Sequence, residues 1–426
     1  MAVTRGLHIG MVAYGDVSHD SRVQREALSL AEAGHRVTVF ATAGDASVFD
    51  PSGGAVTLVV LPPPDGAVVP GTPSPFRVRG AAATGRMARL LARGRWLVGY
   101  ARTLRAWGRR VVGAGSAIDA WHVHDFAALA AVGPWVAPGP ALIYDVHDLF
   151  VETGTALRLP APLRRLVRAY EARLARRAAL VVAVNRPLGE IVAEAWHPSA
   201  LVVVHNCPPR WPGLGGRPSP LRQRLGLAAS EPLVLYHGLL SANRGLEDLL
   251  AAIVEPSLAG VHLALLGYGE WRERLREEAR SPAYGGRVHV LDAVPPADLL
   301  GWVEGADVGA LVMPHDSLNL FVSTPNKLFE CLMAGVPVVV SDFPAVQDIV
   351  REGASGPLGR SCPPADPKAL ALALASILAL SPDDAASLRQ RCRLAALGQW
   401  NWEQEVGRLV DAYAQLRQDG VSEPVS

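Results

Sequence analysis

Asn326, Lys327 and Glu330 fall within five positions of one another, after Ser323, Thr324 and Pro325 and ahead of Gly335 and an apolar Val338–Val340 run. Thr324 suits an N-cap and Pro325 the first helical position, so the free amides and positive dipole end of a short helix would face an anion. A diphosphate fits such an end. Asn326 and Glu330 lie four residues apart and share one helix face, with Lys327 one position round. One helix turn can therefore reach both a phosphate and a ribose. Leu328, Phe329, Cys331, Leu332 and Met333 surround Glu330, so the helix is largely buried and its carboxylate is no ordinary surface glutamate.

A second candidate cation is Arg244, at the start of a helical pattern near 244–253. A cation there opposes the helix dipole unless an anion is also bound. His124 closes a strand, and so do His147 and Asp148, which are placed to line a ligand cleft at carboxyl ends of strands. Gly267-Tyr268-Gly269 lacks the third glycine of a dinucleotide fingerprint and reads as a tight turn. Cys207, Cys331, Cys362 and Cys392 show neither zinc nor disulfide spacing and read as reduced thiols. No Asp-x-Asp motif offers a metal site, so no metal or other cofactor is expected.

These residues need a scaffold of alternating strands and helices. Residues 7–40 give a βαβ unit: apolar Leu7–Ala13, a turn-like Tyr14–Asp20, a helix carrying Val23, Ala27 and Leu30, then Gly34 and Val37–Phe40. Runs at Val56–Leu61, Ala141–Tyr144, Leu180–Val184 and Leu201–Val204 continue a parallel sheet. Prolines and glycines crowd Cys207–Pro220, which reads as an interdomain linker. The pattern restarts with runs at Leu233–Tyr236, Val261–Leu266, Val288–Leu291, Val308–Val312 and Pro337–Val340, alternating with helices near 244–253, 270–280, 296–304 and 325–334. The fold class is thus α/β, two Rossmann-like doubly wound domains: residues 1–207, a linker 208–220, and residues 221–401, with a terminal helix over 402–417.

At 426 residues the chain exceeds the size at which single cores stop growing, about 250–300 residues. Its formal net charge of +1 argues against nucleic acid as a partner. The charge is uneven, however: no acidic residue falls between Asp65 and Asp119, while Arg77, Arg79, Arg86, Arg89, Arg93, Arg95, Arg102, Arg105, Arg109 and Arg110 do. Interleaved with Leu90, Leu91, Trp96, Leu97, Tyr100, Leu104 and Trp107, segment 77–110 fits either a basic amphipathic helix on an anionic membrane or a solvated surface helix. No run of ~18 apolar residues and no charged-then-apolar leader is present, so a cytoplasmic protein is expected, peripheral to a membrane at most.

Two such domains with a phosphate site in the second resemble the GT-B glycosyltransferases, and the motifs resemble those of retaining family four. Gly238-Leu239-Leu240-Ser241-Ala242-Asn243-Arg244-Gly245 is similar to that family's Gly-Arg-Leu-x-x-x-Lys-Gly run, with Arg244 in place of the lysine and Leu239 in place of the arginine. Of the family's glutamate pair, Glu330 matches the ribose-binding member and Val322 stands where the sugar-contacting one would be. The Pro-Asn-Lys-x-Phe-Glu version at 325–330 resembles one branch of the family. There Ser323, Thr324, Asn326 and Lys327 would line the diphosphate and sugar, with Lys327 offsetting the cation lost at Leu239.

The first half resembles the same branch in Asp20-Ser21-Arg22-Val23, His122-Val123-His124-Asp125 and Tyr144-Asp145-Val146-His147-Asp148. His124 matches the histidine that reaches the donor sugar. Gly15-Asp16 occupies the place of a glycine-rich turn beside donor and acceptor, with His147 and Asp148 on the acceptor side. The resemblance implies two domains facing a central cleft, with the terminal helix packing back on the first. It also implies transfer of sugar from a nucleoside-diphosphate sugar to a small-molecule or glycan acceptor, with retention of configuration. Helix amides, Arg244 and Lys327 would do the work of a metal, and the departing diphosphate would take the acceptor's proton. A nucleotide-sugar epimerase or hydrolase and a non-catalytic sugar-nucleotide binding protein are the alternatives. A nicotinamide-dependent oxidoreductase is disfavoured, because Tyr14-Gly15-Asp16-Val17 lacks the glycine fingerprint.

Overall fold

The computed structural model describes residues 6–64, 86–351, 353 and 355–418. Two compact units form: residues through Val204 together with those from Val406 onward, and His205–Glu405.

The first unit holds a seven-stranded parallel sheet: β1 (His8–Asp16), β2 (Arg36–Ala43), β3 (Val56–Val60), β4 (Ala120–His124), β5 (Ala141–Val146), β6 (Leu180–Ala183) and β7 (Leu201–Val203). Their order is β3-β2-β1-β4-β5-β6-β7. The chain reverses direction across the sheet between β1 and β4, the point where open α/β sheets leave a crevice at their carboxyl ends. Strand β1 runs on through Tyr14 to Asp16, with a register shift after Ala13, and only Val17–His19 forms a short 3-10 turn. Of the turn expected over Tyr14–Asp20, the first three residues are thus strand, because pairing with β2 continues to Ala43, and the turn itself begins at Val17. Helix Ser21–Glu32 follows, capped by the Asp20 carboxylate on the amides of Arg22 and Val23.

The second unit holds a six-stranded parallel sheet: β8 (Leu233–Leu239), β9 (His262–Tyr268), β10 (Val288–Asp292), β11 (Val308–Leu311), β12 (Val338–Ser341) and β13 (Gly359–Cys362), in the order β10-β9-β8-β11-β12-β13. The crevice position here lies between β8 and β11. Strands β4 and β13 did not announce themselves as apolar runs, since one carries two histidines and the other reads Gly-Arg-Ser-Cys. The proline-rich segment after Cys207 has no helix or strand before Pro220 and packs on this unit. Leu214 donates its amide to Glu304 at 2.9 Å, and the Arg393 guanidinium bonds the Trp211 carbonyl.

The arginine-rich helix spans Arg86–Ala114; residues 77–85 of the expected basic segment lie outside the described residues. Tyr100, Leu104, Trp107 and Val111 are buried in the first core, and Arg95, Arg102, Arg105 and Arg109 are exposed. Those apolar side chains therefore cannot insert into a bilayer while the core is packed. No single helix among the described residues is long and apolar enough to cross a membrane. All four cysteines are buried, and no disulfide joins them.

Candidate functional site

In the second unit, β8 ends in Tyr236-His237-Gly238, and the backbone there is held by close approach. Gly238 has φ +114°, and a Cβ on Gly267 would lie 1.8 Å from the Gly238 carbonyl oxygen. Neither position tolerates a side chain. Lys327 reaches this strand end: a Cβ on Gly238 would sit 3.8 Å from its Nζ, and that ammonium lies 3.8 Å from the Tyr236 ring centroid. Burial, and then the nearby Arg244 charge, push the Lys327 ammonium down to about 7. Arg244 belongs to the loop before helix Leu246–Ala252, whose N-cap is Gly245, so it approaches from outside the helix and does not open it.

Helix Asn326–Met333 carries the rest, but it starts one residue later than expected. Pro325 is the N-cap with extended backbone (φ −70°, ψ 140°), and Thr324 does not cap. The cause is local: Leu328 already bonds the Pro325 carbonyl, at 3.0 Å, which places the helix start after the proline. Thr324 Oγ1 is instead buried with no hydrogen-bond partner among the described residues. The Asn326 and Lys327 amides have no carbonyl one turn earlier in the helix, which leaves them for an anion. Ser323 is half-buried and Asn326 exposed at the same end. One turn on, Glu330 Oε2 accepts from His237 Nε2 at 2.8 Å. Val322 is 6% exposed and apolar, so no carboxylate stands there.

In the first unit the candidate residues rest on a buried ionic cluster. Arg22 donates to both Asp145 oxygens, Nε to Oδ2 at 2.8 Å and Nη2 to Oδ1 at 2.9 Å, and lies 3.0 Å from Glu26 Oε1. His147 donates from Nε2 to Asp145 Oδ2 at 3.2 Å, and its Nδ1 is 3.3 Å from Asp125 Oδ2. Burial alone would lower this imidazole, but the two carboxylates outweigh it and hold it up at about 10. His124 Nδ1 is also 3.2 Å from Asp145 Oδ2, yet burial drives this ring down to about 4. His124 is thus neutral and His147 an imidazolium at pH 7. His124 Nε2 is buried with no hydrogen-bond partner among the described residues.

His124 passes straight into helix Asp125–Val132, with Asp125 at φ +62°, a conformation costly for a residue with a side chain. The Asp125 carboxylate repays it locally by accepting the His147 amide at 3.0 Å. Gly15 has open space where a Cβ would stand, and its carbonyl accepts from Thr42 at 3.0 Å. Asp16 is exposed and caps the Val17–His19 turn through the Ser18 amide at 2.9 Å. Asp148 is exposed just beyond β5.

Glu26, His122, His124 and Asp145 bring four ligand-type atoms within 4.8 Å of one another. They do not fit a metal, because the Arg22 guanidinium already sits against both carboxylates and supplies the positive charge. His237, Arg22 and Asp145 were given no role from sequence. For Asp145 and His237 the available signal was a charged or imidazole side chain inside an otherwise apolar strand, as in Ala-Leu-Ile-Tyr-Asp-Val and Leu-Val-Leu-Tyr-His, where burial demands a partner. Arg22, in helix Ser21–Glu32 among other polar residues, carried no such signal.

Residues 21–207 match the family model described as Glycosyltransferase Family 4, and residues 231–379 the one described as Glycosyl transferases group 1. A D-inositol 3-phosphate glycosyltransferase of Xylanimonas cellulosilytica is 30% identical over 205 residues, 46% of this chain and 45% of that one. A glycogen synthase of Mycobacterium tuberculosis is 27% identical over 241 residues, 55% of this chain and 52% of its own length. The chain thus matches about half the length of these curated relatives. Among solved structures, HepE of Anabaena in complex with UDP and glucose superposes with a TM-score of 0.68 at 16% identity, covering 96% of this chain and 100% of that one. Sucrose-phosphate synthase of Thermosynechococcus elongatus gives 0.66 at 18% identity, covering 97% and 100%. The fold is GT-B.

Proposed function

Starting from a chain that carries glycosyltransferase domains in both halves, we propose that it transfers a sugar from a nucleoside-diphosphate sugar to an acceptor, with retention of configuration and without a metal. The observation that carries the reading is the convergence of Lys327, Gly238 and Glu330 at the carboxyl end of β8. A cation, a side-chain-free backbone and a carboxylate meet there beside free helix amides. The amides of Asn326 and Lys327, with the Lys327 and Arg244 charges, take the diphosphate; Ser323, Thr324 and Asn326 line it, and Glu330 takes the ribose. The HepE structure with UDP and glucose supports a nucleotide-sugar donor.

A departing diphosphate and an oxocarbenium-like sugar need electrostatic stabilisation more than a strong nucleophile. In the proposed reaction the acceptor attacks on the leaving-group face, and its proton passes to the diphosphate oxygen, so no protein base is obligatory. His124 contributes a neutral imidazole to a sugar hydroxyl. Gly15, Asp16, His147 and Asp148 serve the acceptor, a small molecule or a glycan. The proposed setting is the cytoplasm.

The test is a thermal-shift screen against nucleoside diphosphates, then product analysis with the matching donor sugar. Transfer with the donor's anomeric configuration kept, undiminished by EDTA, is expected. Inverted product, or an EDTA-sensitive rate, sinks that part of the proposal. Product from donor alone would indicate an epimerase or hydrolase instead. Val322 and Leu239 favour one second reading, a non-catalytic sugar-nucleotide binding protein, which donor binding without turnover across many acceptors would establish.

A further inference from the structure

We infer that His237 is a positioning residue, fixing the Glu330 carboxylate for the ribose hydroxyls of the bound nucleotide; this rests on the donor site proposed above. His237 ends the buried part of β8 and is 3% exposed, so its ring needs a polar partner. It has one in Glu330 Oε2, 2.8 Å from Nε2. A carboxylate only accepts, so the contact sets the proton on Nε2 and the imidazole donates.

Both ends of this hydrogen bond are mounted on elements that cannot rotate. The strand is paired with β9 through His237↔Leu266 and Gly238↔Gly267, and the Gly238 carbonyl leaves no room for a side chain at Gly267. On the helix side, Phe329 and Cys331 flank Glu330 and are 1% and 0% exposed. A glutamate has three side-chain torsions, and His237 holds them in one arrangement before the nucleotide arrives, which is how a rigid supporting shell sharpens a binding group. The Glu330 side chain stays 17% exposed against 4% for His237, so the carboxylate is the member that meets a ligand and the imidazole stands behind it.

A purely structural tie between strand and helix would change stability but not the choice between ribose and deoxyribose. The test is therefore isothermal titration of the full chain with UDP, GDP, ADP and CDP and their 2′-deoxy and 3′-deoxy counterparts. Wild-type protein should prefer a ribonucleotide over its deoxy form by tenfold or more. His237→Phe, or His237→Asn should the first not fold, should bring that ratio close to one, while His237→Gln, whose longer amide can still donate, should keep most of it. An unchanged ratio in His237→Phe or His237→Asn overturns the inference and leaves the donor site standing. Wild-type protein that binds none of the nucleotides overturns the donor site itself.

Discussion

Arg22 grips Asp145 with both arms of its guanidinium, at 2.8 and 2.9 Å, and the two side chains are 3% and 0% exposed. The pair joins helix Ser21–Glu32 to β5 and gives a wholly buried carboxylate its counter-charge. Burial would raise Asp145, but Arg22 first and His147 next hold it well below the usual carboxylate range. Everything at the carboxyl ends of β4 and β5 is arranged around that anion: a neutral His124, a charged His147, and Asp125 beyond it.

Removing the guanidinium leaves Asp145 and Glu26 buried without their cation. Arg22→Met should destabilise the protein by about 3–5 kcal/mol, the cost of breaking a buried ion pair by deleting one partner. A urea titration read at the first unit's transition measures it. A loss below about 1 kcal/mol would show that the cluster neutralises itself by taking up protons.

His147 has a folded value raised to about 10 from an ordinary 6.5. Its contribution to stability is therefore fully present below about pH 6.5 and is lost as the pH rises towards 10. The difference in unfolding free energy between wild type and His147→Gln should be largest near pH 6 and shrink steadily by pH 10. A difference that stays constant or grows over that window contradicts an imidazolium at this position.

Lys327 has the opposite shift, down to about 7 from 10.5, so without ligand it loses its charge near neutrality. A bound diphosphate favours the ammonium, so binding should take up a proton above pH 7, and affinity should fall as the pH rises further. Titrations in buffers of different ionisation enthalpy measure that uptake directly. Lys327→Ala should abolish it and weaken nucleoside-diphosphate binding roughly tenfold to a hundredfold, the worth of one charge-assisted hydrogen bond. Intact affinity in Lys327→Ala would remove this residue from the donor site.

Helix Arg86–Ala114 shows solvent Arg95, Arg102, Arg105 and Arg109 while its Tyr100, Leu104 and Trp107 are committed to the core. If it meets a membrane, the contact is electrostatic: flotation with phosphatidylserine vesicles should disappear at about 0.5 M salt, where screening is short-ranged. A triple Arg102→Glu, Arg105→Glu and Arg109→Glu variant should fail to float at any salt. Absence of flotation by wild-type protein at low salt ends the idea.

Hydrophobic periodicity and glycine placement were enough to read two doubly wound domains, because short apolar runs alternating with helical patterns are what strands joined by crossover helices require. They also located the start of helix Asn326–Met333 to within one residue. What the periodicity could not see were β4 and β13, whose polar side chains break the apolar signal, and the start of that helix after Pro325, where a single backbone hydrogen bond decided against Thr324. Motif residues such as Glu330, Lys327, His124 and His147 were legible by type and spacing. Their charge states were not. Those of His124 and His147 depend on burial and on Asp145, which Arg22 meets across 123 positions, and that of Lys327 on burial beside Arg244; such separations are brought together only by strand order in a folded sheet. The sequence determined which groups are present; tertiary structure decided which carry protons, since a pKa answers to burial and to neighbours in space, not to neighbours in the chain.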